Sequence, residues 1–122
     1  MQIKPSTAIH LLHQASAGVL ASHALHLPGY PFASALPFAL DAHHYPLFLM
    51  SGLAEHTKNL LADPRTSLLV SEPGAHSVLK GARLTVIGDT APLKASDELV
   101  ARYLRYQPDA KQYLELGDFS FF

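Results

Sequence analysis

Leu49-Met-Ser-Gly-Leu-Ala-Glu-His-Thr-Lys-Asn-Leu-Leu-Ala-Asp-Pro-Arg-Thr-Ser-Leu-Leu-Val70 is the stretch on which the reading of the fold turns. An apolar, strand-like run stops at Ser51-Gly52. A short helix follows over residues 54–62, with polar and basic groups crowded into its first turns. Asp63-Pro64 stops that helix, and a second strand follows at once over 66–71. The order places hydroxyl, amide and ammonium donors beside a helix N-terminus, where an anion such as a phosphate is stabilised.

Upstream, residues 32–40 read as a strand whose Pro37 belongs at an edge or bulge. Asp41-Ala-His-His-Tyr45 joins it to the run 47–50, so the two form a hairpin. Residues 18–22 are a short strand, and Leu27-Pro-Gly-Tyr-Pro31 is a loop. A helix opens at Pro5-Ser6, with Ser6 as its cap and Ala8, Ile9, Leu12 and Ala15 on one side. Downstream, Glu72-Pro-Gly-Ala75 is a turn, and residues 82–87 form a strand ending at Gly88-Asp89 or continuing past a bulge to Ala91. The period then changes. Leu99, Val100, Tyr103 and Leu104 define a helix over 95–106, and Pro108 opens another that Gly117 closes. Phe119-Ser-Phe-Phe122 starts one more strand, whose phenylalanines pair with the sheet or with another subunit. Strands in meander order with few helices between them favour a mainly β fold, an antiparallel barrel with peripheral helices.

The whole is one domain of 122 residues. Nine Lys and Arg against ten Asp and Glu leave a formal charge of −1. No basic field is available for a nucleic-acid backbone, so any anion site is local. Zero cysteines exclude disulfides, thiolate ligands and cysteine nucleophiles. Met1-Gln-Ile-Lys-Pro5 lacks the apolar segment of a signal peptide, and no apolar run approaches the ~20 residues of a membrane span. A cytoplasmic protein with no membrane partner is the expectation.

Three places carry possible chemistry, each beside a plainer reading. Glu55, His56, Thr57, Lys58 and Asn59 cannot all face a core. They form a solvated helix face or, following Ser51, a phosphate site in which His56, Thr57, Lys58 and the free amides of the helix start are the donors. In Phe32-Ala-Ser-Ala-Leu-Pro-Phe38, alternation sends Phe32, Ser34, Leu36 and Phe38 to one face and Ala33, Ala35 and Pro37 to the other. That is a tightly packed barrel strand, or a slot in which a flat ring lies against small residues. Arg83 is an exposed strand residue, or it aims at an anion in a neighbouring cleft. The eight histidines include His10 with His13 and His43 with His44, but no carboxylate accompanies either pair at ligand spacing, so no metal is expected. No serine sits in a Gly-x-Ser-x-Gly elbow.

Tyr30-Pro-Phe-Ala-Ser-Ala-Leu-Pro-Phe38, the run from Ser51 to Leu60, Ala62-Asp-Pro-Arg-Thr-Ser-Leu-Leu-Val70 and Ala82-Arg-Leu-Thr-Val-Ile-Gly88 together resemble the pyridoxamine 5′-phosphate oxidase-like family. The nearest branch is the split barrels that include haem-degrading proteins. The resemblance implies a six-stranded antiparallel split β-barrel that forms a homodimer, with FMN in the clefts between subunits. It puts Ser34, Ala35 and Leu36 along the flavin and Met50, Ser51 and Leu53 near the ring and ribityl chain. His56, Thr57, Lys58 and Asn59 fall at the phosphate end, and Arg83 at a polar contact that the partner subunit can supply. Gly52 stands where relatives often carry a basic residue. Relatives continue past the position of Phe122, many into a further C-terminal domain that supplies the haem-ligating histidine of the haem degraders. The function implied is an FMN-dependent oxidoreductase of unknown small-molecule substrate, with no residue assigned a catalytic role. The alternatives are a haem-binding or haem-degrading barrel and a non-enzymatic dimeric module with a vestigial site.

Overall fold

A computed structural model describes residues 4–122; Met1, Gln2 and Ile3, read above for a leader, lie outside the described residues. Helix α1 (Pro5–Gln14) precedes strands β1 (Ala17–His23), β2 (Pro31–Pro37), β3 (Ala39–Leu40), β4 (Pro46–Leu47) and β5 (Leu49–Ser51). Then come α2 (Glu55–Ala62), β6 (Arg65–Ser71), β7 (Arg83–Asp89), α3 (Asp97–Tyr106), a 3₁₀ turn (Pro108–Ala110), α4 (Lys111–Leu114) and β8 (Phe119–Phe121). The architecture is mainly β with flanking helices, and every strand pairing is antiparallel.

The expected six strands appear instead as eight segments. Among the described residues they form a four-stranded sheet in the order β2-β1-β6-β7 and two two-stranded sheets, β3-β4 and β5-β8, with no closed ring of hydrogen bonds. The hairpin expected between 32–40 and 47–50 is correspondingly short. Only Ala39 and Leu40 pair, with Leu47 and Pro46. Pro37 has no amide hydrogen to donate and ends β2, an edge strand of the large sheet. Leu49, Met50 and Ser51 pair with Phe121, Ser120 and Phe119, so the C-terminal phenylalanines find their partner within the chain.

Burial explains why residues 47–50 read as an unbroken apolar run. Phe38, Leu40, Phe48, Met50 and Phe122 enter one core with Leu20, Leu60, Leu68 and Val70. Ala39, Leu47, Leu49 and Phe121 alternate with them into a second core, against Tyr103 and Ala110. Both faces of this layer are covered, so period-two alternation divides residues between two cores rather than between core and water.

Local details differ from the sequence reading in three places. The N-cap of α1 is Lys4, not Ser6. Pro5 occupies the first turn, where its missing amide hydrogen leaves no bond unmade, and the amides of Thr7 and Ala8 donate to the Lys4 carbonyl. Strand β7 stops at Asp89, short of Ala91. The segment after Pro108 is a 3₁₀ turn with one short α-turn, followed by Gly117 at φ 80°. At Gly18 the backbone of β6 comes so close that a Cβ would lie 2.8 Å from the Leu69 carbonyl oxygen.

Candidate functional site

The turn after β5 orders the start of α2. Ser51 Oγ accepts from the Leu53 amide at 3.1 Å and donates to Asp118 Oδ2 at 3.1 Å. The Gly52 amide donates to the Asp118 carbonyl at 2.8 Å, and the Ala54 amide to the Ser51 carbonyl at 3.2 Å. Pairing of β5 with β8 is what brings Asp118 here. Helix α2 has no side-chain cap, and Glu55 lies in its first turn. The Lys58 ammonium lies 3.6 Å from Glu55 Oε1. Two carboxylates, Glu55 and Asp118, therefore already complement the positive end of the helix, and the one nearby ammonium is paired.

The remaining α2 residues divide by face. Asn59 is 1% exposed; its side-chain oxygen accepts from the Leu25 amide at 2.9 Å and its nitrogen donates to Ser22 Oγ at 3.2 Å. Thr57 is also buried, and its hydroxyl has no partner. His56 is half-buried, and burial pushes its imidazole below the usual 6.5. Leu53 is exposed.

His56 lines a pocket of about 380 Å³ with Leu36, Leu49, Tyr103, Tyr113 and Phe119. The Tyr113 and Phe119 rings lie 5.2 Å apart at the pocket wall, and burial pushes the Tyr103 phenol up to about 12. Of the residues singled out in the sequence, the structure brings Leu36 and His56 together here. Met50 lies in the core. Ser34 points inward, with its hydroxyl unpartnered, while Ala35 lies on the exposed face of the same strand. Arg83 is exposed on β7, at the opposite edge of the sheet from β2. Within one chain these residues do not form a continuous wall.

The outer face of the four-stranded sheet is uncovered. Register sets Ala35, Val19, Leu69 and Thr85 in one cross-strand row and Ala33, Ala21, Ser67 and Ile87 in the next. Ile87 is 81% exposed. Among the described residues of this face, His23 is the one imidazole; it sits with Ala21, Arg65, Ser67 and Ile87 around a shallow depression of about 270 Å³. Asp63 holds Arg65 at 2.7 Å, and that guanidinium keeps the Asp63 carboxyl down at about 2.

Sequence reasoning did not find Asp118 or His23. Asp118 reaches Ser51 across 67 positions, so no local pattern could reveal it. His23 was one imidazole among eight until strand register put it on the open face.

A phosphate at the start of α2 would meet the Glu55 and Asp118 carboxylates together with the Lys58 ammonium and the His26 imidazole, which lie 3.6 and 3.9 Å from Glu55. Among the described residues no group of three or more His, Cys, Asp or Glu is placed to hold a metal ion, and no helix is long and apolar enough to cross a membrane.

A sequence profile described as pyridoxamine 5′-phosphate oxidase matches residues 8–122. The chain is 36% identical over 113 residues to the chloroplastic heme oxygenase HOZ of Arabidopsis thaliana, covering 91% of this chain and 34% of that protein. The solved heme binding protein of Mycobacterium smegmatis superposes with a TM-score of 0.81 at 31% identity, over 98% of this chain and 51% of that one. A putative pyridoxamine 5′-phosphate oxidase of Listeria innocua shares the fold, with a TM-score of 0.67 at 17% identity over 95% of this chain and 87% of that one. The chain thus spans about a third of the curated relative and half of the heme binding protein.

Proposed function

The chain belongs to the pyridoxamine 5′-phosphate oxidase family, and we infer that it is a haem-binding split-barrel domain that works as a homodimer. The observation that carries this reading is the uncovered outer face of the sheet. It offers Val19, Leu69 and Ile87 as apolar surface and His23 as a neighbouring imidazole. A porphyrin needs apolar surface on its faces and an axial ligand at its iron, which an imidazole can supply. It needs no phosphate grip, and the start of α2 carries the Glu55 and Asp118 carboxylates. Haem brings redox and oxygen chemistry when bound. The chain's own residues supply an apolar platform, with Arg65 at its margin. Relatives named for haem, both above 30% identity, support the same class of ligand. The absence of cysteine suits a reducing setting such as the cytoplasm.

An FMN-dependent oxidoreductase is the second reading. The Ser34 and Thr57 hydroxyls favour it, since both are buried without partners and both fall among the residues that the resemblance assigns to flavin.

Titration of the purified protein with hemin and, separately, with FMN distinguishes the two. The expected result is a saturable Soret band that His23→Ala weakens or shifts, with no quenching of FMN fluorescence. Glu55→Gln combined with Asp118→Asn should allow FMN binding that the parent lacks. Quenching of FMN by the parent protein, with no Soret band, overturns the haem reading. In that case Lys58→Ala with Thr57→Ala should weaken FMN.

A further inference from the structure

Helix α1, the turn at 41–45 and helix α3 meet at three side chains. His13 Nε2 lies 3.3 Å from His44 Nδ1, and the Tyr106 hydroxyl lies 3.2 Å from His13 Nδ1. The His13 and Tyr106 rings stack at 6.0 Å and 26°, while His44 meets His13 edge-on at 5.4 Å. The turn holds His44 at φ 67°, a left-handed conformation that costs a non-glycine residue energy. Asp41 fixes that shape. Its carboxylate accepts from the His43 and Tyr45 amides at 2.8 and 3.0 Å, and its carbonyl accepts from the His44 amide at 3.1 Å.

The contact between the two imidazoles has room for one proton. A hydrogen bond between two ring nitrogens needs one N–H and one lone pair. With both rings fully protonated, two N–H groups would face each other at that distance. The surrounding charges add to the penalty. Arg102 from α3 and His10 from α1 both act on His13 as positive neighbours, and the Asp41 carboxylate is engaged by its own turn. Two nitrogens at this spacing can also share a metal ion. Arg102 beside them and the lack of a third ligand among the described residues argue against that use.

We propose that His13, His44 and Tyr106 form a clasp that pins the 41–45 turn to α1 and α3 at neutral pH and releases it in mild acid. Partial desolvation of this exposed ring, reinforced by His44, Arg102 and His10, holds the His13 imidazole below its ordinary 6.5. A histidine depressed in the folded state contributes its full stability above 6.5, and that contribution is lost as pH falls through the folded value. Release bears on the cleft behind the turn. Tyr45 and Pro46 form one wall of a pocket of about 340 Å³ whose other wall includes Val86, Ile87 and Thr90. A freed turn would widen its mouth.

Amide hydrogen exchange across pH 7.5 to 5.5 tests the clasp, with protection factors corrected for the intrinsic pH dependence of exchange. Protection at Asp41, His44 and Tyr45 should fall severalfold in the parent. His13→Phe keeps a ring against Tyr106 but takes no proton, and should flatten the dependence. His44→Asn, which tolerates the left-handed backbone, should do the same. Parent protection that stays flat, or a dependence that survives in both variants, overturns the proposal. So does protection raised by zinc ions at pH 7.5, which would identify a metal-sharing pair.

Discussion

Asn59 shows what a single polar side chain does when no water reaches it. Its carboxamide ties helix α2 to the loop after β1 through Leu25 and to β1 itself through Ser22. Replacing it with alanine would leave a part-buried amide and a buried hydroxyl without partners. The expected cost for Asn59→Ala is about 1–3 kcal/mol, read as a lower urea midpoint at unchanged slope. A variant as stable as the parent would mean that water replaces both bonds. The phosphate reading of residues 56–59 took four adjacent polar side chains as one donor set. A helix turns about 100° per residue, so Thr57 and Asn59 face inward while Lys58 turns to Glu55. Composition alone does not settle which polar residue lies on which face; the packing of α2 against β1 and β2 does.

At the scale of elements, strand β8 and the residue that follows it join the two cores. Phe121 enters one and Phe122 the other, and the Phe122 amide and carbonyl both bond to Phe48, at 2.9 and 3.0 Å. Phe122→Ala should destabilise the chain by about 3–5 kcal/mol in denaturant unfolding, the usual range for emptying an aromatic site in a core. A negligible change would mean that this strand is ordered only by contacts outside the chain. The strand–helix–strand order at 49–71 was legible because its signals are local: a polar helix start, an Asp-Pro stop and β-branched or apolar runs. The division into three sheets was not legible. Residues 47–50 read as one strand, yet Leu47 pairs with β3 and Leu49 with β8, and nothing within the run marks the change of partner. Pairing across some 70 positions is settled by which apolar faces meet, and that lies outside any local pattern.

At the scale of the whole molecule, the outer sheet face is the large surface that the chain's own helices do not cover. Two cross-strand rows of small and apolar residues, ending in an Ile87 that is 81% exposed, form a flat surface with few charges at its centre. Such a patch marks an interaction site, and a second copy of the same face would be self-complementary about a two-fold axis. Ile87→Lys tests this with little effect on the chain itself, since an exposed strand position tolerates lysine within about 0.5 kcal/mol. Light scattering at micromolar concentration should then give the mass of one chain for Ile87→Lys and of two for the parent. The variant should keep the parent's far-ultraviolet circular dichroism, and its Soret response to hemin should weaken because an ammonium then stands on the proposed apolar platform. A variant that remains dimeric would place the subunit contact elsewhere and detach the proposed haem platform from it.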